Sequence, residues 1–471
     1  MLNIPYLCSM KNRNYLFLIS LVSAMGGLLF GYDWVVIGGA KPFYEVYFDI
    51  AGSASMQGWV MGSAILGCLC GVMVSGSLSE RFGRKPLMIV AAFVFLVSAI
   101  GTGMVDSVTW FIVYRLVGGV AIGIASNLSP MYIAEVSPSA IRGRFVSIYQ
   151  LAIVLGILGA QVANWLIADP ILDGENILAT WNGQMGWRWM FWAETLPALA
   201  YFVLVFFIPE SPRWLANQQQ YDRAEKILTN IGGADYAKQE VAAIKFAAGS
   251  STEKGSFKQL WEGKMLKIVV IGIVIAAFQQ WCGINVIFNY AQEIFSSAGY
   301  GVSDILFNII ITGLTNVVFT FIGMYTVDKL GRRALMVFGS IGLAFIYALL
   351  GACFYFEIRG IAVLLLVMAA IATYAMTLAP ITWVVLSEIF PNKIRAMAMG
   401  VATFALWTAC FVLTYTFPLL NKSLGASGTF WLYGVVCLLG FVFIKKNLPE
   451  TKGKSLEQIE KELTTPKPLE Q

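Results

Sequence analysis

GGLLFGYD, residues 26–33, is the stretch on which the reading of this chain turns. Between Tyr15 and Gly39 its Asp33 is the one charged residue. An apolar run of that length is a bilayer span, and a carboxylate inside a span is costly unless it is paired, neutralised or wet. Asp33 is therefore a functional candidate by default.

The remaining sequence extends the membrane reading. Of the 471 residues, 58% are hydrophobic and 13% charged, whereas soluble domains run at roughly 45–50% and about 25%. Apolar runs recur without the alternation of barrel strands, so the fold class is an all-α membrane protein. Twelve spans are expected near 14–42, 55–78, 86–106, 109–131, 145–168, 188–208, 265–295, 303–327, 333–355, 361–388, 395–420 and 428–446. The first continues well beyond the ~7–15-residue core of a signal peptide and reads as a retained helix.

Basic residues cluster at every second loop: Lys11/Arg13, Arg81/Arg84/Lys85, Arg142/Arg144, Arg213 onward, Lys329/Arg332/Arg333, Lys393/Arg395 and Lys445/Lys446. The intervening loops carry mainly acids, among them Asp49, Asp106, Asp173 and Glu357, with isolated Lys41, Arg359 and Lys422. The positive-inside rule then predicts a multi-pass membrane protein with both termini cytoplasmic and an even number of spans. The net charge of +5 follows from this topology, so the bilayer and not a nucleic acid is the expected partner.

Histidine is absent and the seven cysteines are scattered through apolar surroundings. That excludes His-based acid–base chemistry and gives no metal framework. GGVAIG (118–123) imitates a dinucleotide fingerprint, but no strand precedes it, so no cofactor is expected. A titrating group must be a carboxylate.

A long polar insert, 209–264, divides the chain in two. YDRAEKIL and QEVAAIKFAA within it place apolar residues at helical spacing, as short cytoplasmic helices do. The flanking halves repeat one another: AEVSPSAIRGR (134–144) returns as SEIFPNKIRAM (387–397), and LSERFGRKPL (78–87) as TVDKLGRRAL (326–335). The organisation is thus a terminus, 1–13, a six-helix bundle, 14–208, the insert, a second bundle, 265–446, and a tail, 447–471. Parallel repeats of this kind place a substrate path between two pseudo-symmetric bundles.

Counting helical rise places Arg115 and Glu194 about 9 Å below the outer boundary, at a depth comparable with Asp33. Burial favours the neutral acid and a guanidinium favours the carboxylate, so a change in their contact moves a proton. The alternative is an ion pair that only holds helices together. Uncharged polar groups gather separately, with Gln279, Gln280 and Asn285 in FQQWCGIN (278–285) and Gln150, Asn316 and Trp383 on other spans. Amides donate and accept, and an indole offers an apolar face, which suits a small neutral polyol such as a sugar. Any one of them alone is more readily an interhelical hydrogen bond, and FQQ next to GIN is what makes them a group. On the cytoplasmic side Arg81, Arg84, Glu135, Arg142 and Glu210, and again Arg332, Arg333, Glu388, Arg395 and Glu450, are placed for salt bridges between helix ends that form in one conformation and break in another.

From about residue 14 to 456 the chain resembles the sugar porters of the major facilitator superfamily. The motifs are GGLLFGYD, SERFGRK with VDKLGRR, YIAEVSPSAIRGR, PESPRWL (209–215), QQWCGIN, SEIFPNKIRA and PETKGKS (449–455). Within the family it is most similar to the bacterial D-xylose:proton symporters and next to the facilitative glucose transporters. The resemblance implies a major facilitator fold working by alternating access as a monomer, with Asp33, Arg115 and Glu194 coupling protons to sugar. It also implies sugar contacts from Gln150, Gln279, Gln280, Asn285, Asn316 and Trp383, with Phe30 and Trp407 as nearby aromatics. Leu406 replaces a frequent amide, Asn289 a frequent aromatic and Ala379 a frequent glycine, while Ile157 and Phe288 resemble the glucose facilitators. The choice among pentoses and hexoses, D-xylose and D-glucose included, stays open. So do two alternatives: a proton-independent facilitator, and a non-transporting sugar receptor, of which a longer tail than the 25 residues after Lys446 is expected.

Overall fold

A computed structural model describes residues 12–138, 141–171, 175–250, 257–390 and 394–452. The N-terminal segment to residue 11, the tail from 453, Lys11, Asp173 and Lys393 lie outside the described residues, as does the side chain of Arg395. Among the described residues, eleven helices are long and apolar enough to cross a membrane: Arg13–Tyr47, Ala54–Phe82, Arg84–Met104, Val108–Val136, Arg142–Ile167, Asn182–Phe207, Met265–Asn289, Asp304–Thr326, Arg332–Tyr355, Ile361–Ile389 and Met397–Asn447. The last belongs to a helical stretch of 53 residues, about 80 Å at 1.5 Å per residue and far more than the ~30 Å hydrocarbon core. Gly425 breaks it at φ 70°, ψ 175°, which divides it into the expected eleventh and twelfth spans.

Other breaks fall where the backbone lacks a donor or bends through glycine. Pro197 cannot donate to the carbonyl of Ala193, and the sixth span is interrupted at Glu194. Pro380 has the same relation to Met376, and the tenth span breaks at Thr377. In the seventh, Gly283 adopts φ 86° between Gly263–Trp281 and Ile284–Asn289, which an L side chain resists. Two expected limits need correction. The sixth span starts at Asn182 through a π-turn rather than at 188. The first runs through Pro42 to Tyr47, because neighbouring helices tolerate a proline that would end an isolated one.

Within the N-terminal half the first and fifth spans, and the second and fourth, pack along one another. Their closeness depends on small residues: a Cβ on Gly31 would strike the carbonyl of Ile153, and one on Gly156 that of Leu28. Between halves, the second span packs on the last helix and the fifth on the eighth. The insert forms Pro212–Asn217, Tyr221–Gly232 and Ala234–Ser250 around small cores of Leu215 and Ala224 and of Leu228, Ala237 and Val241.

Candidate functional site

Asp33, Arg115 and Glu194 reach the protein interior from the first, fourth and sixth spans, at 5%, 3% and 1% exposure. Arg115 Nη1 donates to Asp33 Oδ1, and the guanidinium carbon lies 5.8 Å from the Phe191 ring centroid. Among the described residues, Glu194 Oε1 and Arg115 Nε are buried without a hydrogen-bond partner. A guanidinium held by one carboxylate, with a second buried acid in the same bundle, is an arrangement that can exchange a proton.

The pair borders a cavity of about 20 Å³ between the halves, walled also by Phe30, Trp34, Met61, Cys68, Asn289 and Trp407. That volume holds a water and is far below the ~300 Å³ of a small-molecule pocket. Phe30, Trp34 and Trp407 meet edge to face, with centroids 5.6, 5.7 and 6.0 Å apart. Trp34 was not singled out in the sequence, although it follows Phe30 by one helical turn and shares its face.

Gln279, Gln280 and Asn285 are also brought together, 5–9% exposed. Gln280 Nε2 donates to Gln279 Oε1 at 2.7 Å, and Asn285 Nδ2 donates to Gln280 Oε1 and approaches Cys410 Sγ at 3.6 Å. The amides bond one another in this conformation, and a sugar hydroxyl would exchange with those bonds. Gln150 is half-buried, Asn316 buried and Trp383 exposed; among the described residues no hydrogen bond ties these three to the cluster.

Charged groups at the basic face pair within each half. Arg84 contacts Glu135 through two bonds of 3.0 and 2.8 Å, and Arg332 Nη2 lies 3.3 Å from Glu388. Glu210 accepts from the backbone N–H of Arg84 at 3.0 Å, and Glu450 from those of Arg332 and Arg333 at 2.9 and 3.1 Å. Each glutamate thereby caps the N-terminus of a span, where an anion is favoured. Arg333 donates to the Lys445 carbonyl at 2.6 Å. Arg81 instead lies over the Phe82 ring, and among the described residues Arg142 Nε is buried without a hydrogen-bond partner. Neither joins an ion pair among the described residues.

Two bundles of six helices around a central path, with ionisable groups at its wall, define a secondary transporter of the alternating-access type. Residues 19–463 match the family described as "Sugar (and other) transporter", and the chain belongs to that family. It is 39% identical over 460 residues to the arabinose-proton symporter of Bacillus subtilis, covering 98% of this chain and 97% of that one. To the D-xylose-proton symporter of Escherichia coli K12 it is 38% identical over 483 residues, covering 95% and 96%. The inward open structure of the xylose transporter XylE from E. coli superposes with a TM-score of 0.83 at 37% identity, covering 94% of this chain and 99% of that one. The chain is a transporter and not an enzyme.

Proposed function

We propose that this protein is a proton-coupled symporter of a neutral pentose or hexose, acting as a monomer in the inner membrane with both termini cytoplasmic. The observation that carries the reading is the buried Asp33–Arg115 pair at the wall of a cavity between the halves, in a bundle that also buries Glu194. Ionised Asp33 holds Arg115. When Asp33 takes a proton from outside, that hold weakens and the guanidinium turns toward Glu194, so the buried charge stays compensated. Sugar enters against Gln279, Gln280, Asn285 and Trp407 of one half and Phe30 and Trp34 of the other, and its binding by both halves favours outer closure. Opening to the cytoplasm wets Asp33, which releases its proton. Names of relatives point to pentoses first, and the amide set suits either ring size.

Asp33→Asn, which keeps shape and removes the titration, tests the coupling. Wild type is expected to concentrate labelled sugar against an inward proton gradient. The variant is expected to equilibrate it without accumulation while retaining counterflow in proteoliposomes. Accumulation by the variant equal to wild type overturns the proton assignment, and absence of counterflow by either protein for any pentose or hexose overturns the transport reading.

A further inference from the structure

Charge patterning places Lys41 in a loop; the structure corrects this, for Lys41 is 1% exposed on the first span. Its acidic partners, out of sight in a count of loop charges, account for the difference. The ammonium pairs with Glu45 one turn on, at 3.1 Å, and with Glu293 on the short helix Ala291–Ser297 after the seventh span. The second pair joins the two halves. Glu45 Oε2 is approached by Gln57 Nε2 at 3.4 Å, and the Lys41 ammonium lies 5.2 Å from the Tyr290 ring centroid. One turn away, a Cβ on Gly38 would come within 3.0 Å of the Asn289 carbonyl oxygen, so the first and seventh spans touch backbone to backbone.

Two carboxylates share one buried ammonium; the Glu45 side chain is 10% and that of Glu293 23% exposed. A buried pair of this sort is a weak source of net stability, but it discriminates between two arrangements. Asp33 precedes Lys41 by eight residues on one helix, about 12 Å at 1.5 Å per residue, and Asn285 precedes Glu293 by eight across the break at Tyr290. The ion pair therefore ties the helix of Asp33 to the short helix that follows the amide cluster. The contact lies at the end of the first span away from the basic face. Arg84–Glu135 and Arg332–Glu388 cannot substitute for it, since each stays within one half.

We propose that Lys41 and Glu293 form an outer latch that closes when the transporter shuts toward the outside and must break each time the site reopens there. The proposal rests on the alternating-access reading above. Both are positioning residues; neither borders the cavity, and each acts by setting how often the outer side opens.

Native Cys68 is a built-in reporter, 2% exposed and lining the cavity beneath the latch. A charged, membrane-impermeant methanethiosulfonate is added to intact cells, and modification of Cys68 is followed by peptide mass spectrometry. Lys41→Met and Glu293→Gln are expected to raise the labelling rate about tenfold or more. Exchanging the charges, Lys41→Glu with Glu293→Lys, is expected to return it to within about twofold of the parent. Unchanged labelling in the single variants overturns the latch, and so does a rise that the exchange fails to reverse, which marks a packing role alone. Should the single variants not reach the membrane, Lys41→Arg carries the test: it keeps the charge and is expected to label at the parent rate, and a raised rate overturns the proposal. Labelled-sugar counterflow by the parent separates the two readings. Without it the transport reading falls; with it and flat labelling, only the latch falls.

Discussion

In the N-terminal half Glu210 caps the helix that begins at Arg84, and Gly83 before it has φ 99°. In the C-terminal half Glu450 caps the helix that begins at Arg332, and Gly331 has φ 91°. Arg84–Glu135 and Arg332–Glu388 repeat the correspondence side chain by side chain. At mid-membrane the likeness ends. The first half buries Asp33, Arg115 and Glu194, and the second buries Gln279, Gln280 and Asn285. The repeat persists where it fixes helix ends and topology and diverges in the buried polar groups at mid-membrane. In the reading proposed here one half holds the proton and the other most of the sugar, so coupling has to pass through contacts between them.

The largest break in that comparison is expected from Arg115→Met. Removing the cation leaves two buried carboxylates uncompensated, and losing one partner of a buried pair costs about 3–5 kcal/mol. Thermal unfolding in detergent and counterflow are both expected to collapse. Adding Asp33→Asn in the same chain should recover most of the stability but not the accumulation of sugar. A single variant as stable as wild type would mean that the pair is not held away from water.

A smaller change sharpens the comparison from the other side. Asn285→Ala is expected to weaken sugar binding by roughly 10- to 100-fold, the equivalent of about 1.4–2.8 kcal/mol for lost polar contacts. The accumulation ratio at saturating sugar should stay near wild type, since the proton pair is untouched. Equal loss of affinity and coupling would show that the labour is not divided by half.

Asp33 was legible because one charge in a long apolar run is conspicuous, and Arg115 and Glu194 followed because helical rise converts residue number into depth. The amide cluster was legible because FQQ and GIN lie three residues apart on one span. Lys41 and Glu293 were not. They are 252 residues apart, and a lysine near the end of a span reads as loop until the opposite helix is in place. Nor could residue type alone separate Trp383, which stands exposed, from Trp407, which packs into the aromatic group at 6% exposure. That distinction is made by which face of each helix meets the other half.

The smallest expected effect concerns the two capping glutamates, which sit outside the spans and differ in electrostatics. Burial raises the pKa of Glu210, partly offset by backbone N–H bonds from Ser211, Lys85 and Arg84. Burial also acts to raise that of Glu450, but the amides of Lys452, Arg332, Arg333 and Ala334 outweigh it and hold the carboxyl below its usual range. A raised folded pKa means that the folded state binds the proton more tightly, so the Glu210 contribution is full below the ordinary carboxylate value and declines as pH rises toward the raised one. The Glu450 contribution is present above the ordinary value and declines as pH falls through the lowered one. Glu450→Gln should therefore cost about 1 kcal/mol at pH 7 and progressively less toward pH 4. Glu210→Gln should cost less at pH 7 and more toward pH 4. Unfolding temperatures of both variants across that range would show opposite slopes; slopes of the same sign would mean that the halves are alike at this face in charge as well as in geometry.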